Sequence, residues 1–298
     1  MLEISAMSES ARGTLYALLA VFMFATLGTG FKMAVTRMNS YSVVVWIGIW
    51  ATVALFGFVV RGHGVKTIVS EFRQRPLFFP VAGAIGLGVQ QILCLMTYDY
   101  IPASQAIILH YSYPLMMMPL SWLLFREKSG MWAIVCVLLG FCGVCILVSA
   151  GGGLGDIRLS IGLVLALATA FSFALFCVLI KHARFSVMSG MFLLNLFGLL
   201  FLLCLLPFYH MQWSLSGTDM LLVAYLGIFP TAVAFILWNR ALRMIPTDRS
   251  SNCALLVPIL SIGIIGIVLK ERIVFLQGLG MSIVLLSVFL NVRLAKQV

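Results

Sequence analysis

Long apolar stretches alternate with short charged gaps along the whole chain. A helix rises about 1.5 Å per residue, so about 20 apolar residues cross a hydrocarbon core of about 30 Å. The pattern predicts ten such spans, at 14–36, 41–60, 77–99, 102–125, 130–149, 160–180, 188–207, 219–240, 247–269 and 274–291. The first run exceeds the roughly 7–15 residues of a secretory h-region, and Lys32 follows its apolar stretch, so it reads as a retained helix. The longest connections, 61–76 and 208–218, leave no length for an extramembrane domain. A glycine-rich stretch, Gly151-Gly152-Gly153-Leu154-Gly155, divides the spans five and five.

The two halves resemble each other. Shifting the chain by 144 residues brings Ile101-Pro102 onto Ile245-Pro246, Pro114 onto Pro258, and Glu127 onto Glu271. A shift of 149 brings Phe24 onto Phe173 and Lys32 onto Lys181. The expected units are therefore 1–150 and 151–298, each with five helices. Because five is odd, consecutive copies enter the membrane from opposite sides. The expected fold is an all-α integral membrane bundle: ten transmembrane helices as two inverted five-helix repeats around a central cavity. Such repeats are typical of secondary transporters, where two near-equivalent packings of the halves give alternating access to one site.

Composition removes the soluble alternatives. Of 298 residues, 62% are hydrophobic and 9% charged, with a mean hydropathy of +1.13. A soluble domain carries about 25% charged residues. The net charge of +10 is spread through the gaps rather than gathered on one face, so no nucleic-acid partner is expected. Fourteen Lys and Arg fall on the side shared by the termini and five on the other, which places both termini in the cytoplasm. The seven cysteines lie inside apolar runs. Cys142 and Cys145 have no second pair and no nearby histidine, so they read as packing residues; neither metal nor cofactor is expected.

The candidate chemistry starts from an omission. All nine acidic residues lie in loops or near span ends. That argues against a cation antiporter, which needs a buried anion. The substrate should be neutral or zwitterionic, held by hydrogen bonds, helix dipoles and aromatic faces. Candidate substrate-binding residues are Gln90, His110, Tyr111, Trp238, Asn239 and Asn252, on spans 3, 4, 8 and 9. His110 is the one intramembrane histidine, and imidazole titrates near physiological pH. It reads either as a proton or substrate group or as a histidine satisfied by a neighbouring helix. Gln90 and Gln91 are adjacent, so one of them is expected to be packing glue. Pro102 and Pro246 open spans 4 and 9; Pro114 and Pro258 should kink them, as hinges or passive bends. Trp46 reads as an interface-belt aromatic, Lys32 and Lys181 as snorkelling residues, and Glu127 and Glu271 as solvated ion pairs.

Tyr100-Ile101-Pro102-Ala103 matched by Met244-Ile245-Pro246-Thr247, and Arg126-Glu127-Lys128 matched by Lys270-Glu271-Arg272, give the chain a family likeness. With ten spans in two halves, it resembles the drug/metabolite transporter superfamily, and within it the EamA-type ten-helix exporters. It is also similar, less closely, to the YddG-type amino-acid exporters. The resemblance implies a basket-like bundle with a cavity lined by spans 1, 3, 4, 6, 8 and 9. It also implies export of amino acids or related metabolites across a bacterial inner membrane. The sequence departs from the small multidrug branch, which has a buried glutamate in helix 1; here Phe24-Ala25-Thr26 stands there. The first reading is thus a non-enzymatic exporter of small molecules such as amino acids, embedded in the lipid bilayer and functional as a monomer. A sugar-phosphate or nucleotide-sugar carrier would need cavity cations. A membrane enzyme or receptor would lack a reason for the repeat.

Overall fold

The computed structural model describes residues 8–126 except 63, scattered positions between 132 and 146, and 157–245 except 184, together with 253, 256–271 and 274–294. About half of expected span 5 lies outside the described residues, and the glycine-rich stretch, Glu127, Cys145, Pro246 and Asn252 lie wholly outside them. Every described element is helical. In chain order they are α1 (Glu9–Val35), α2 (Ser40–Gly62), α3 (Val65–Gln74), α4 (Phe78–Tyr100), α5 (Ala103–His110) and α6 (Tyr113–Phe125). Then follow α7 (Ile157–His182), α8 (Val187–Cys204), α9, α10 (Leu256–Val268) and α11 (Phe275–Leu294). α9 is helical over Gly217–Leu226, π-helical over Gly227–Val233, and helical again over Ala234–Met244.

Six of the described helices are long and apolar enough to cross a membrane. Their outward faces carry Phe22, Val53, Val164 and Leu221, each more than half exposed, which water would penalise and lipid accepts. The chain is therefore a multi-pass integral membrane protein. Inside, Phe31, Tyr41, Leu95, Tyr98, Leu109, Leu202, Leu226 and Ile265 belong to one large buried cluster drawn from both halves of the sequence.

Span 4 departs from a single kinked helix. It is two helices, α5 and α6, separated by Tyr111 and Ser112. Pro114 stands in the first turn of α6, where its missing N–H leaves the His110 carbonyl without the usual donor four residues on. Ser112 seals the break by donating from N and Oγ to the Leu109 carbonyl, at 3.1 and 2.6 Å. Pro258 lies buried within α10.

α4 and α9 each widen into a π-helical segment, Ala84–Val89 and Gly227–Val233. Gln90 N reaches back five residues to the Ile85 carbonyl, and Ala234 N to that of Phe229. In α9 the cause is local. Pro230 offers no N–H to the Leu226 carbonyl, and the Thr231 hydroxyl donates to it instead at 2.7 Å. In α4 the Ile85 carbonyl also accepts from Ser172 Oγ of α7 at 2.9 Å.

Several features recur at the two sequence shifts. Arg126 and Lys270 both take φ 54, the left-handed region. A Cβ at Gly13 would lie 2.7 Å from Ile245 Cγ2, and one at Gly162 2.4 Å from Ile101 Cγ2. A Cβ at Gly83 would lie 2.5 Å from the Leu194 carbonyl oxygen, and one at Gly227 2.7 Å from that of Ile47. Helix pairings follow the same rule. α1 packs on the last segment of α9 and on α10, while α7 packs on the last segment of α4 and on α6. α8 packs on the π segment of α4, while α2 packs on that of α9.

Candidate functional site

A cavity of roughly 200 Å³ lies in the centre of the bundle. α1 contributes Phe24, Leu27 and Phe31; α4 contributes Leu87, Gln90, Gln91, Cys94 and Tyr98. The broken span supplies Ile107 and His110 from α5, Tyr111 from the break, and Tyr113 from α6. α7 adds Phe173, α9 adds Thr231, Phe235 and Trp238, and α10 adds Val257. These are the six spans that the family resemblance implies. Among the described residues, no Asp, Glu, Lys or Arg lines it.

The wall is aromatic, and its rings brace one another. Phe24 meets Phe235 edge-on at 5.1 Å and Trp238 at 6.5 Å between ring centres. Across the cavity His110 lies 5.2 Å from the Phe173 ring and 5.9 Å from each of Tyr111 and Tyr113. His110 Nδ1 is buried and has no hydrogen-bond partner in the structure. A buried polar nitrogen left so is costly unless something else pairs with it. His110 ends α5, just before the break that Pro114 enforces.

Four of the six residues singled out from sequence therefore border this space: Gln90, His110, Tyr111 and Trp238. Asn239 does not. Its amide donates along its own helix to the Phe235 carbonyl at 2.8 Å, and it is not a lining residue. Asn252 lies outside the described residues. Gln90 and Gln91 both face the cavity, because neighbours on a helix differ by only about 100° and a wide cavity admits both. Phe24, Phe31, Phe173, Phe235 and Thr231 were not singled out as lining residues. The match of Phe24 with Phe173 at a shift of 149 held the signal for two of them.

Other expected roles change. Lys32 does not snorkel; its Nζ donates to the Tyr98 carbonyl at the end of α4. Glu271 is no solvated ion pair. Its carboxylate accepts from Ala103 N and Ser104 N, both at 3.0 Å, and from Ser104 Oγ at 2.9 Å, capping the start of α5. Trp46 is half-buried and donates to the Gln212 carbonyl at 3.0 Å rather than to an interface belt. Asn195 ties α8 to α2, donating to Thr52 Oγ1 at 2.7 Å. The described carboxylates remain at helix ends: Asp219, for instance, pairs with Arg37 at 3.3 Å.

A multi-helical membrane bundle with a cavity lined from both halves of the sequence is an arrangement that suits a membrane transporter. The EamA-like transporter family model matches residues 11–149 and 160–293, and the chain belongs to that family. It is similar to an uncharacterized transporter, YetK, of Bacillus subtilis, at 28% identity over 71% of this chain and 66% of YetK. An uncharacterized transporter of Acidianus ambivalens is 34% identical over 53% of this chain and 60% of its own length. The chain thus spans less than two thirds of each of these relatives, 66% and 60%. An uncharacterized transporter of Clostridium kluyveri is 22% identical over 94% of this chain and 93% of its own. A solved crystal structure with 20% identity shares the fold, with a TM-score of 0.67 over 96% of this chain and 98% of that one.

Proposed function

We propose that this chain is a secondary transporter exporting neutral amino acids, aromatic or aliphatic, or related small metabolites by alternating access. The observation that carries the reading is the cavity: aromatic, without a charged side chain among the described residues, and built from six spans of both halves. Its roughly 200 Å³ lies below the 300–1,000 Å³ of drug-sized sites, which favours a small metabolite. The rings take the apolar part of the substrate. Gln90, Gln91 and His110 orient its polar ends. Export as the direction rests on the family resemblance.

Alternating access needs two near-equivalent halves, 1–150 and 151–298, related by inversion. The swapped helix pairings, the paired glycine contacts, the paired π segments and the family match in two consecutive segments all support that reading. The lysine and arginine distribution supports an inner-membrane orientation with both termini cytoplasmic. One chain encloses the cavity, so a monomer suffices. The described lining holds no cation, which favours a neutral cargo over a sugar phosphate.

The test is flux of labelled amino acids into liposomes holding the purified chain, with and without a pH gradient. Saturable flux of neutral species is expected. Flux only of phosphorylated metabolites, or of none of the panel by folded protein, would overturn the substrate assignment.

A further inference from the structure

The segment between α2 and α4, taken from sequence as a plain connection, is the helix α3. Its apolar positions Val65, Ile68, Val69 and Phe72 follow helical spacing, and Gly64 at φ 75 turns the chain into it. One side is fixed to the bundle. Ile68 is buried, Phe72 stacks on Phe197 of α8 at 5.4 Å, and Thr67 meets Ser189 Oγ at 3.1 Å. Its one carboxylate, Glu71, accepts from Ser186 N at 2.9 Å and so faces the start of α8.

The opposite side is left bare. Lys66, Ser70 and Arg73 form one exposed stripe and Val65 and Val69 another, and together they line a shallow groove along the helix. Arg61 is exposed just before α3, and Arg75 follows it. Among the described residues no carboxylate lies within ion-pair distance of any of these four cations. The apolar stripe continues into Leu77, 79% exposed, and Val81 on the lipid-facing side of α4.

We propose that α3 is a binding site for an anionic phospholipid. Lys66 and Arg73 take the headgroup phosphate, Ser70 donates a hydrogen bond to it, and the acyl chains run over Val65, Val69, Leu77 and Val81. Charge complementarity selects the occupant. A surface with free cations beside a membrane-facing apolar stripe fits a molecule that is anionic at one end and apolar at the other. A soluble anion would leave the apolar stripe unused, and a zwitterionic lipid would leave the excess positive charge uncompensated. Because α3 is tied to α8 through Glu71 and Thr67, the lipid would brace a contact between the two halves of the sequence. The proposal needs only a membrane-embedded chain and does not depend on what the cavity carries.

The test uses the full chain in neutral detergent, titrated with short-chain phosphatidylglycerol or phosphatidylcholine and followed by native mass spectrometry. Phosphatidylglycerol should bind in preference. Each basic residue near a membrane surface contributes about a fivefold factor, so Lys66→Gln with Arg73→Gln should weaken binding roughly thirty-fold. Lys66→Arg with Arg73→Lys should retain it. Both side chains are exposed, and thermal melting of each variant confirms that the fold is kept. Equal retention of phosphatidylglycerol by the glutamine variant, or equal binding of the two lipids, would overturn the proposal. Displacement of the lipid by inorganic phosphate at equal concentration would also overturn it, leaving a small-anion site only.

Discussion

Replacing Glu271 tests the link between the two ends of the chain. Its carboxylate takes three hydrogen bonds from Ala103 and Ser104, two of them from backbone N–H groups at the first turn of α5. Pro102 at the cap position has no side-chain acceptor to take its place. Glu271→Ala leaves both N–H groups unpaired in a part-buried setting. The loss of a cap costs about 1–2 kcal/mol and the loss of a negative charge at a helix start about 0.5–1 kcal/mol, giving roughly 2–3 kcal/mol. Glu271→Gln keeps one acceptor oxygen and loses the charge, so about 1–2 kcal/mol is expected. Ser104→Ala removes only the hydroxyl bond and should cost about 0.5–1 kcal/mol. The two alanine changes share a partner, so the double variant should fall short of additivity by about 0.5 kcal/mol or more. Equilibrium unfolding in mixed micelles, followed by tryptophan fluorescence, measures all four. A cost under about 0.5 kcal/mol for Glu271→Ala, within the range of an ordinary surface change, would refute the capping role.

Two further outcomes are expected. Gly227→Ala places a methyl 2.7 Å from the Ile47 carbonyl oxygen and 3.0 Å from Ala51 N, which are backbone atoms and cannot yield. It should destabilise by about 1–3 kcal/mol, whereas Gly263→Ala, with open space around it, should be neutral or stabilising by up to about 1 kcal/mol; thermal melting compares them. His110→Ala and Trp238→Ala should each lower flux in liposomes at least about tenfold, as loss of a buried polar partner or an aromatic anchor does, in protein that melting shows to be folded; unchanged flux in both would remove these residues from the site.

The six membrane-length helices were legible because the membrane imposes a length and because charge marks their ends. What failed depended on partners distant in sequence. Lys32 was expected in the headgroups because its span ends there, but the Tyr98 carbonyl stands within reach, and only the packing of α1 on α4 brings it there. Glu271 was read with its flanking cations, yet Lys270 in the left-handed region turns the chain so that the carboxylate meets α5. The helix α3 was legible in principle from Val65, Ile68, Val69 and Phe72, but a segment too short to span was read as connection. For the site, His110, Tyr111, Gln90 and Trp238 announced themselves as polar groups in apolar helices. The phenylalanines did not, since a lipid-facing and a cavity-facing phenylalanine look alike until the bundle is assembled. Asn239 misled for the opposite reason: a helix can satisfy an amide by itself.

The uncharged cavity wall has an electrical consequence. Carrying one elementary charge across a membrane changes its energy by about 2.3 kcal/mol per 100 mV. Among the described residues the lining offers rings, amides, hydroxyls, a thiol and aliphatic groups, so under the proposed alternating access only a proton on His110 would carry charge through this part of the wall. With a neutral cargo and no such proton, turnover would be the same in a polarised and a depolarised membrane; with the proton, it would follow the membrane potential.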